Sequence, residues 1–203
     1  MVAEESLLTV LVFRGGPLAK AGHNHVIASH ELSGVAFVPD DVSGASFEVH
    51  VPVGSFTIDE PELRALEGQE FSAEVPDSAR EGTRKNMLSE PMLDGERYPE
   101  IVLRSAAIAG GAVADGAATA DGAAGGAVAP GTVVAAVNIT VRGQTRIVSV
   151  PLRYQIEGDA LRVQGELTLK QTELGLTPFS LFGGALRVED EMRVKVFLVA
   201  RGG

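Results

Sequence analysis

Val137-Asn138-Ile139-Thr140-Val141-Arg142-Gly143-Gln144 belongs to the most regular stretch of this chain, Thr132 to Leu169. Val137, Ile139 and Val141 alternate with Asn138, Thr140 and Arg142. Gly143-Gln144 interrupts, and Val148, Val150, Leu152, Tyr154 and Ile156 resume on a period of two. After a second break at Glu157-Gly158-Asp159, Leu161, Val163, Leu167 and Leu169 alternate with Arg162, Gln164, Glu166, Thr168 and Lys170. Successive side chains of a strand point to opposite faces, so a period of two is the signature of a half-buried strand. Three such strands joined by tight Gly-containing turns predict an antiparallel meander.

Working outward from the meander, more strands are expected at Leu7–Phe13, Leu32–Val38, Ala45–Val53, Ile101–Ser105 and Leu186–Ala200. The first is apolar on both faces, as in a strand between two layers or in a barrel wall covered from outside. In the last, Asp190 interrupts the face carrying Val188, Met192, Val194, Val196 and Leu198, which fits a bulge or a barrel end. Between Asp59 and Met92 the period changes. A helical turn or two is predicted at Pro61–Leu66, and a better helix from Pro76 to Met87 or Leu88, mostly polar and therefore on the surface. From Ala106 to Gly131 the composition is mainly Ala and Gly, with little bulk to bury and a high ordering entropy, so a long mobile hairpin loop is expected there. These elements predict an all-β, single-domain chain over residues 1–203: one antiparallel β-barrel with a short helical excursion, residues 59–92, capping one end.

Composition narrows the chemistry. There is no Cys, hence no disulfide, thiolate nucleophile or Cys-type zinc site. A net charge of −10 argues, short of a local basic patch, against nucleic-acid backbones and anionic membranes as partners, and aromatics at 5% with no Trp offer little to stack on bases. No apolar run reaches the length of a membrane span. The first residues, Met1-Val2-Ala3-Glu4-Glu5, lack the basic start of a signal peptide, which predicts a cytoplasmic protein. The Gly-rich segment lacks the spacing and Lys of a phosphate loop, and no nucleophile-elbow motif occurs, so no enzyme activity and no cofactor are expected. The one dense group of metal-binding side chains is His23, His25 and His30. On an extended segment His23 and His25 share a face and could meet one divalent ion, with His30, His50 or a carboxylate as third ligand. Contact with a ligand headgroup and a plain turn role are the other readings of the same residues.

Four segments carry a family resemblance: Tyr98-Pro99-Glu100-Ile101 followed by Ser105; Val137 to Thr145; Gln171-Thr172-Glu173-Leu174-Gly175-Leu176; and Val188-Glu189-Asp190-Glu191-Met192-Arg193-Val194. In this order they resemble the YceI-like proteins, a lipocalin-like group named for polyisoprenoid binding. Arg84, Leu88 and the approach from Leu93 to Tyr98 are similar to the family's helical region. The resemblance implies a barrel with an apolar lumen. If one apolar face of the meander is luminal, Val137, Ile139, Val148, Val150, Leu152, Tyr154, Leu161 and Val163 line it, with Phe179 and Phe182 near a mouth. Alternation fits equally an interior filled by these side chains.

Taken together, these readings predict a non-catalytic carrier whose partner is a long apolar small molecule, such as an isoprenoid, quinone or fatty-acid derivative. The overall acidity favours a neutral or cationic headgroup over a diphosphate. The alternatives are a metal-binding or metal-assisted hydrolytic protein centred on His23 and His25, and a filled barrel acting as an interaction or stress-associated module. The edges of the first and last strands are free either to close the barrel or to pair in a homodimer.

Overall fold

The computed structural model describes residues 1–39, 41–110 and 131–202. Within them, eleven antiparallel strands form one curled sheet. The strands are β1 (Leu7–Gly15), β2 (His25–Ser29), β3 (Ser33–Phe37), β4 (Ser46–Pro52), β5 (Thr57–Ile58), β6 (Glu100–Gly110), β7 (Thr132–Val141), β8 (Gln144–Glu157), β9 (Ala160–Lys170), β10 (Ser180–Leu181) and β11 (Leu186–Arg201). The helices α1 (Pro61–Ala65) and α2 (Asp77–Leu88) both lie in the excursion that the change of period marks.

The meander is β7, β8 and β9. Val137 faces Val148 across the first pair and Tyr154 faces Val163 across the second. Arg142 and Gly143 make the first turn with φ of 51° and 71°, the paired left-handed geometry that lets a two-residue hairpin follow the strand twist.

Closure comes from a strand that changes partners. Sheet order runs β3-β4-β6-β7-β8-β9-β11-β1-β2-β5. β2 and β3 are separated only by His30-Glu31-Leu32, yet β2 pairs with β1 while β3 pairs with β4 at the far end of the order. Counted as two halves of one strand, β2 and β3 complete a ring with β4, β6, β7, β8, β9, β11 and β1. Eight strands give a barrel just wide enough for side chains or one small ligand. β1 pairs with β11 over Leu7↔Phe197 to Val12↔Met192, so the first and last strands close the barrel and those edges are not offered to a second chain.

β11 carries the irregularity that Asp190 marks. Val12 lies opposite Met192 but Arg14 lies opposite Val188, a β-bulge. The carboxylate of Asp190 accepts there from the backbone N–H and hydroxyl of Thr172, at 2.9 and 2.7 Å. β6 is longer than the sequence reading. Residues 106–110, assigned above to the Ala/Gly loop, continue the strand, with Ala107 to Gly110 opposite Ala136 to Val133. Backbone pairing with a strongly alternating neighbour holds residues whose own side chains give no pattern. The rest of that predicted loop, residues 111–130, lies outside the described residues.

The two apolar faces of β1 have different covers. Leu8, Val10 and Val12 face the lumen, while Leu11 packs outside with Val26 and Phe71, flanked by Phe13 and Leu63. The excursion after β5 therefore coats the wall outside β1 and β2. α2 then crosses one end of the barrel, where the Arg84 guanidinium donates to the carbonyls of Phe56 and Gly54.

Candidate functional site: an apolar lumen with one polar end

Inward-facing side chains leave space along the barrel axis. A cavity of about 310 Å³ lies under α2, and one of about 160 Å³ lies at the other end. Leu8, Leu103, Ile139, Leu169 and Val194 line both, so β1, β6, β7, β9 and β11 each contribute one residue to a collar where the two spaces meet. The larger cavity is within the size range of small-molecule sites. The smaller matches engineered apolar cavities that stay dry and accept one aromatic ring.

Of the lining residues read from sequence, Val137, Ile139, Val150, Leu152, Tyr154, Leu161 and Val163 border the smaller cavity, and Ile139 and Phe179 border the larger. Val148 packs against the core without lining either. Phe182 is 77% exposed and lines neither, because its turn directs the ring outward.

The two ends differ chemically. The smaller cavity is apolar save for Ser46, the Tyr154 hydroxyl and the terminal ammonium of Met1, which donates to the Gly34 carbonyl at 2.9 Å. The larger is bordered under α2 by Arg14, His23, His25, Thr83, Asn86, Gln171 and Arg187, with no Asp or Glu in its lining. The net acidity of the chain is therefore not the charge this end presents, and the preference read from that acidity, against an anionic headgroup, has no counterpart in the lining. Arg14 is held by donation from Nη1 to the carbonyl of Gly22 at 2.7 Å. Arg187 donates to Glu189 at 3.2 Å. Gln171 donates to the Glu189 carbonyl at 2.8 Å.

Behind this lining stands a buried network centred on Asp59, which is 1% exposed. The His25 ring donates from Nδ1–H to Asp59 Oδ2 at 2.6 Å, and its Nε2 meets the Thr83 hydroxyl at 3.1 Å. The other carboxylate oxygen accepts from the Val26 N–H at 2.9 Å and from Arg64 at 2.5 Å. Arg64 also donates to the carbonyls of Asn24, Phe71 and Ala73, which ties the excursion to the wall. Burial pushes the Asp59 carboxyl up, but the hydrogen bonds from His25 and Val26, the positive field of His25 and the hydrogen bond from Arg64 outweigh it and hold its pKa below the ordinary value. His23 is lowered by burial and then by the positive fields of His25 and Arg14. The network fixes the tautomer and orientation of His25 and anchors α2 through Thr83.

The spacing reading brings His23 and His25 to one face, their ring centroids 6.1 Å apart at the same cavity. His30 does not join them: it lies on the exposed side and pairs with Glu60 at 3.1 Å. His50 is also elsewhere, between Glu48 and Glu100 on the outer face. With both nitrogens of His25 engaged by Asp59 and Thr83, the three-histidine cation site is not assembled. No group of three or more potential ligands occurs among the described residues. Sequence reasoning missed Arg14, Asp59, Arg64, Thr83, Asn86 and Arg187. Only Asp59 had a local signal, as an acidic residue just before Pro61 and the start of α1.

Comparison with known proteins follows the same architecture. Residues 19–200 match the YceI-like domain. BcnA of Burkholderia cenocepacia superposes with a TM-score of 0.64 at 16% identity, over 98% of each chain. A Campylobacter jejuni YceI protein superposes with a TM-score of 0.54 at 7% identity, over 85% of this chain and 81% of its own. A mutant of the same protein crystallised with a monobromobimane guest gives 0.55 at 8% identity. No curated protein matches the sequence significantly. No helix among the described residues is long and apolar enough to cross a membrane.

Proposed function

The chain belongs to the YceI-like family, and on that premise we propose that it is a non-catalytic carrier of one long apolar molecule, an isoprenoid, quinone or fatty-acid derivative. The hydrocarbon threads the collar, and the polar end rests under α2. One observation supports this reading above the others: two apolar cavities share the collar of Leu8, Leu103, Ile139, Leu169 and Val194, and the charged and amide side chains of the lining gather at one end. Each buried methylene contributes about 0.8 kcal/mol, so chain length dominates affinity. Arg14, His23 and Arg187 favour a headgroup that accepts hydrogen bonds, such as a carboxylate or a quinone carbonyl.

The collar supplies the test. Ile139→Trp fills the passage and leaves the larger cavity open. In displacement of a fluorescent fatty acid, a long saturated chain loses the contacts beyond the collar. Exclusion of about four methylenes weakens it by about a hundredfold or more, while a short chain binds as before. Equal affinity of parent and variant for the long chain, with the variant's thermal unfolding still cooperative, contradicts the reading.

A further inference from the structure

The lip of the larger cavity exposes apolar side chains that the fold does not use. β10 and the start of β11 pair through Leu181↔Leu186, and the turn between them has φ of 51° at Phe182, 64° at Gly183 and 91° at Gly184. An aromatic residue in the left-handed region is costly, and here the result is a ring 77% exposed. Leu181 beside it is 41% exposed and Leu18 is 48% exposed. The Leu18 N–H donates to the Ala185 carbonyl at 2.8 Å, which joins the Leu18 loop to this turn. Both loops border the cavity, through Gly22 on one side and Phe179, Leu186 and Arg187 on the other.

Charge at this lip opposes that of the molecule. Residues 14–22 and 179–189 carry Arg14, Lys20 and Arg187 against Glu189, which pairs with Arg187 at 3.2 Å and leaves a local excess of positive charge in a chain of net charge −10. Arg14, Lys20 and Arg187 are all exposed. Apolar side chains flanked by cations suit the boundary between lipid headgroups and acyl chains.

We propose that this lip docks on an anionic lipid bilayer, with Leu18, Leu181 and Phe182 entering the interface and Arg14, Lys20 and Arg187 facing lipid phosphates. The mouth of the lumen then opens against the bilayer, so an apolar molecule passes between them without crossing water. The purpose of the contact rests on the carrier reading; the contact itself does not.

The experiment is sedimentation of the full chain with phosphatidylcholine vesicles, with and without phosphatidylserine. The expected result is binding that requires phosphatidylserine and weakens with added salt. Leu181→Ser/Phe182→Ser reduces it by about tenfold or more, while Ile147→Ser, at an exposed apolar position on β8, leaves it unchanged. The proposal is overturned if no vesicles bind or if the double variant binds as the parent does. It is also overturned if that variant instead shifts a self-associated species to monomer in size-exclusion chromatography, since the patch then faces a second copy. Fatty-acid uptake from dilute ethanol, measured in parallel, separates the two readings. Uptake without vesicle binding leaves the carrier and removes the docking, and vesicle binding without uptake does the reverse.

Discussion

Asp59 is an ionised carboxylate 1% exposed to solvent, which is tolerable only because His25, Val26 and Arg64 all donate to it. Its folded pKa lies below the ordinary carboxylate value, so its contribution to stability is fully present above that ordinary value and is lost as pH falls through the lowered one. Asp59→Asn leaves the Arg64 charge without its partner. It is expected to lower unfolding stability in urea by about 3–5 kcal/mol at neutral pH, with the difference from the parent shrinking in acid. A variant within about 1 kcal/mol of the parent at neutral pH contradicts this account of the network. Beyond the local signal of Asp59 itself, none of the network was legible in sequence, for a physical reason. Asp59 is 34 residues from His25, and Thr83 is 58 residues from His25, so only the fold brings them together. The pair His23 and His25 was legible because an extended segment, here the approach to β2, places alternate residues on one face.

At the scale of elements, closure of the barrel depends on the half-strand β3, and Gly34 shows how tightly it sits. Its φ is 149°, and a Cβ there meets the Glu48 carbonyl oxygen at 2.1 Å. Gly34→Ala is expected to cost about 1–3 kcal/mol, because backbone must move to admit one methyl group. Gly82→Ala in the middle of α2 meets nothing within 4 Å and is expected to stabilise by about 0.5–1 kcal/mol through helix propensity. Chemical denaturation of both variants checks the pair, and equal effects of one sign contradict the contrast. Elements with bulky alternation, such as Val137 to Val141, were legible to within a residue or two. Ala107 to Gly110 were not, since small side chains leave no pattern and the strand is held by its partner. The change of partners between β2 and β3 was also hidden, because periodicity marks a strand without naming its neighbours.

For the whole molecule, an eight-strand ring dictates a narrow interior, and the size of the inward side chains decides whether it is filled or hollow. The fold class followed from alternation and from the order of the four family-like segments. The hollow did not, because the same alternation serves either outcome. Polarity at one end was likewise hidden: Arg14 and Arg187 come from opposite ends of the chain, and the net charge of −10 points away from them. The measurement that tests the carrier account most directly is native mass spectrometry of the purified protein offered saturated fatty acids of increasing length. The account predicts one bound molecule per chain and retention that rises with each added methylene until the lumen is full. Absence of a bound mass at every length, or retention independent of length, contradicts it.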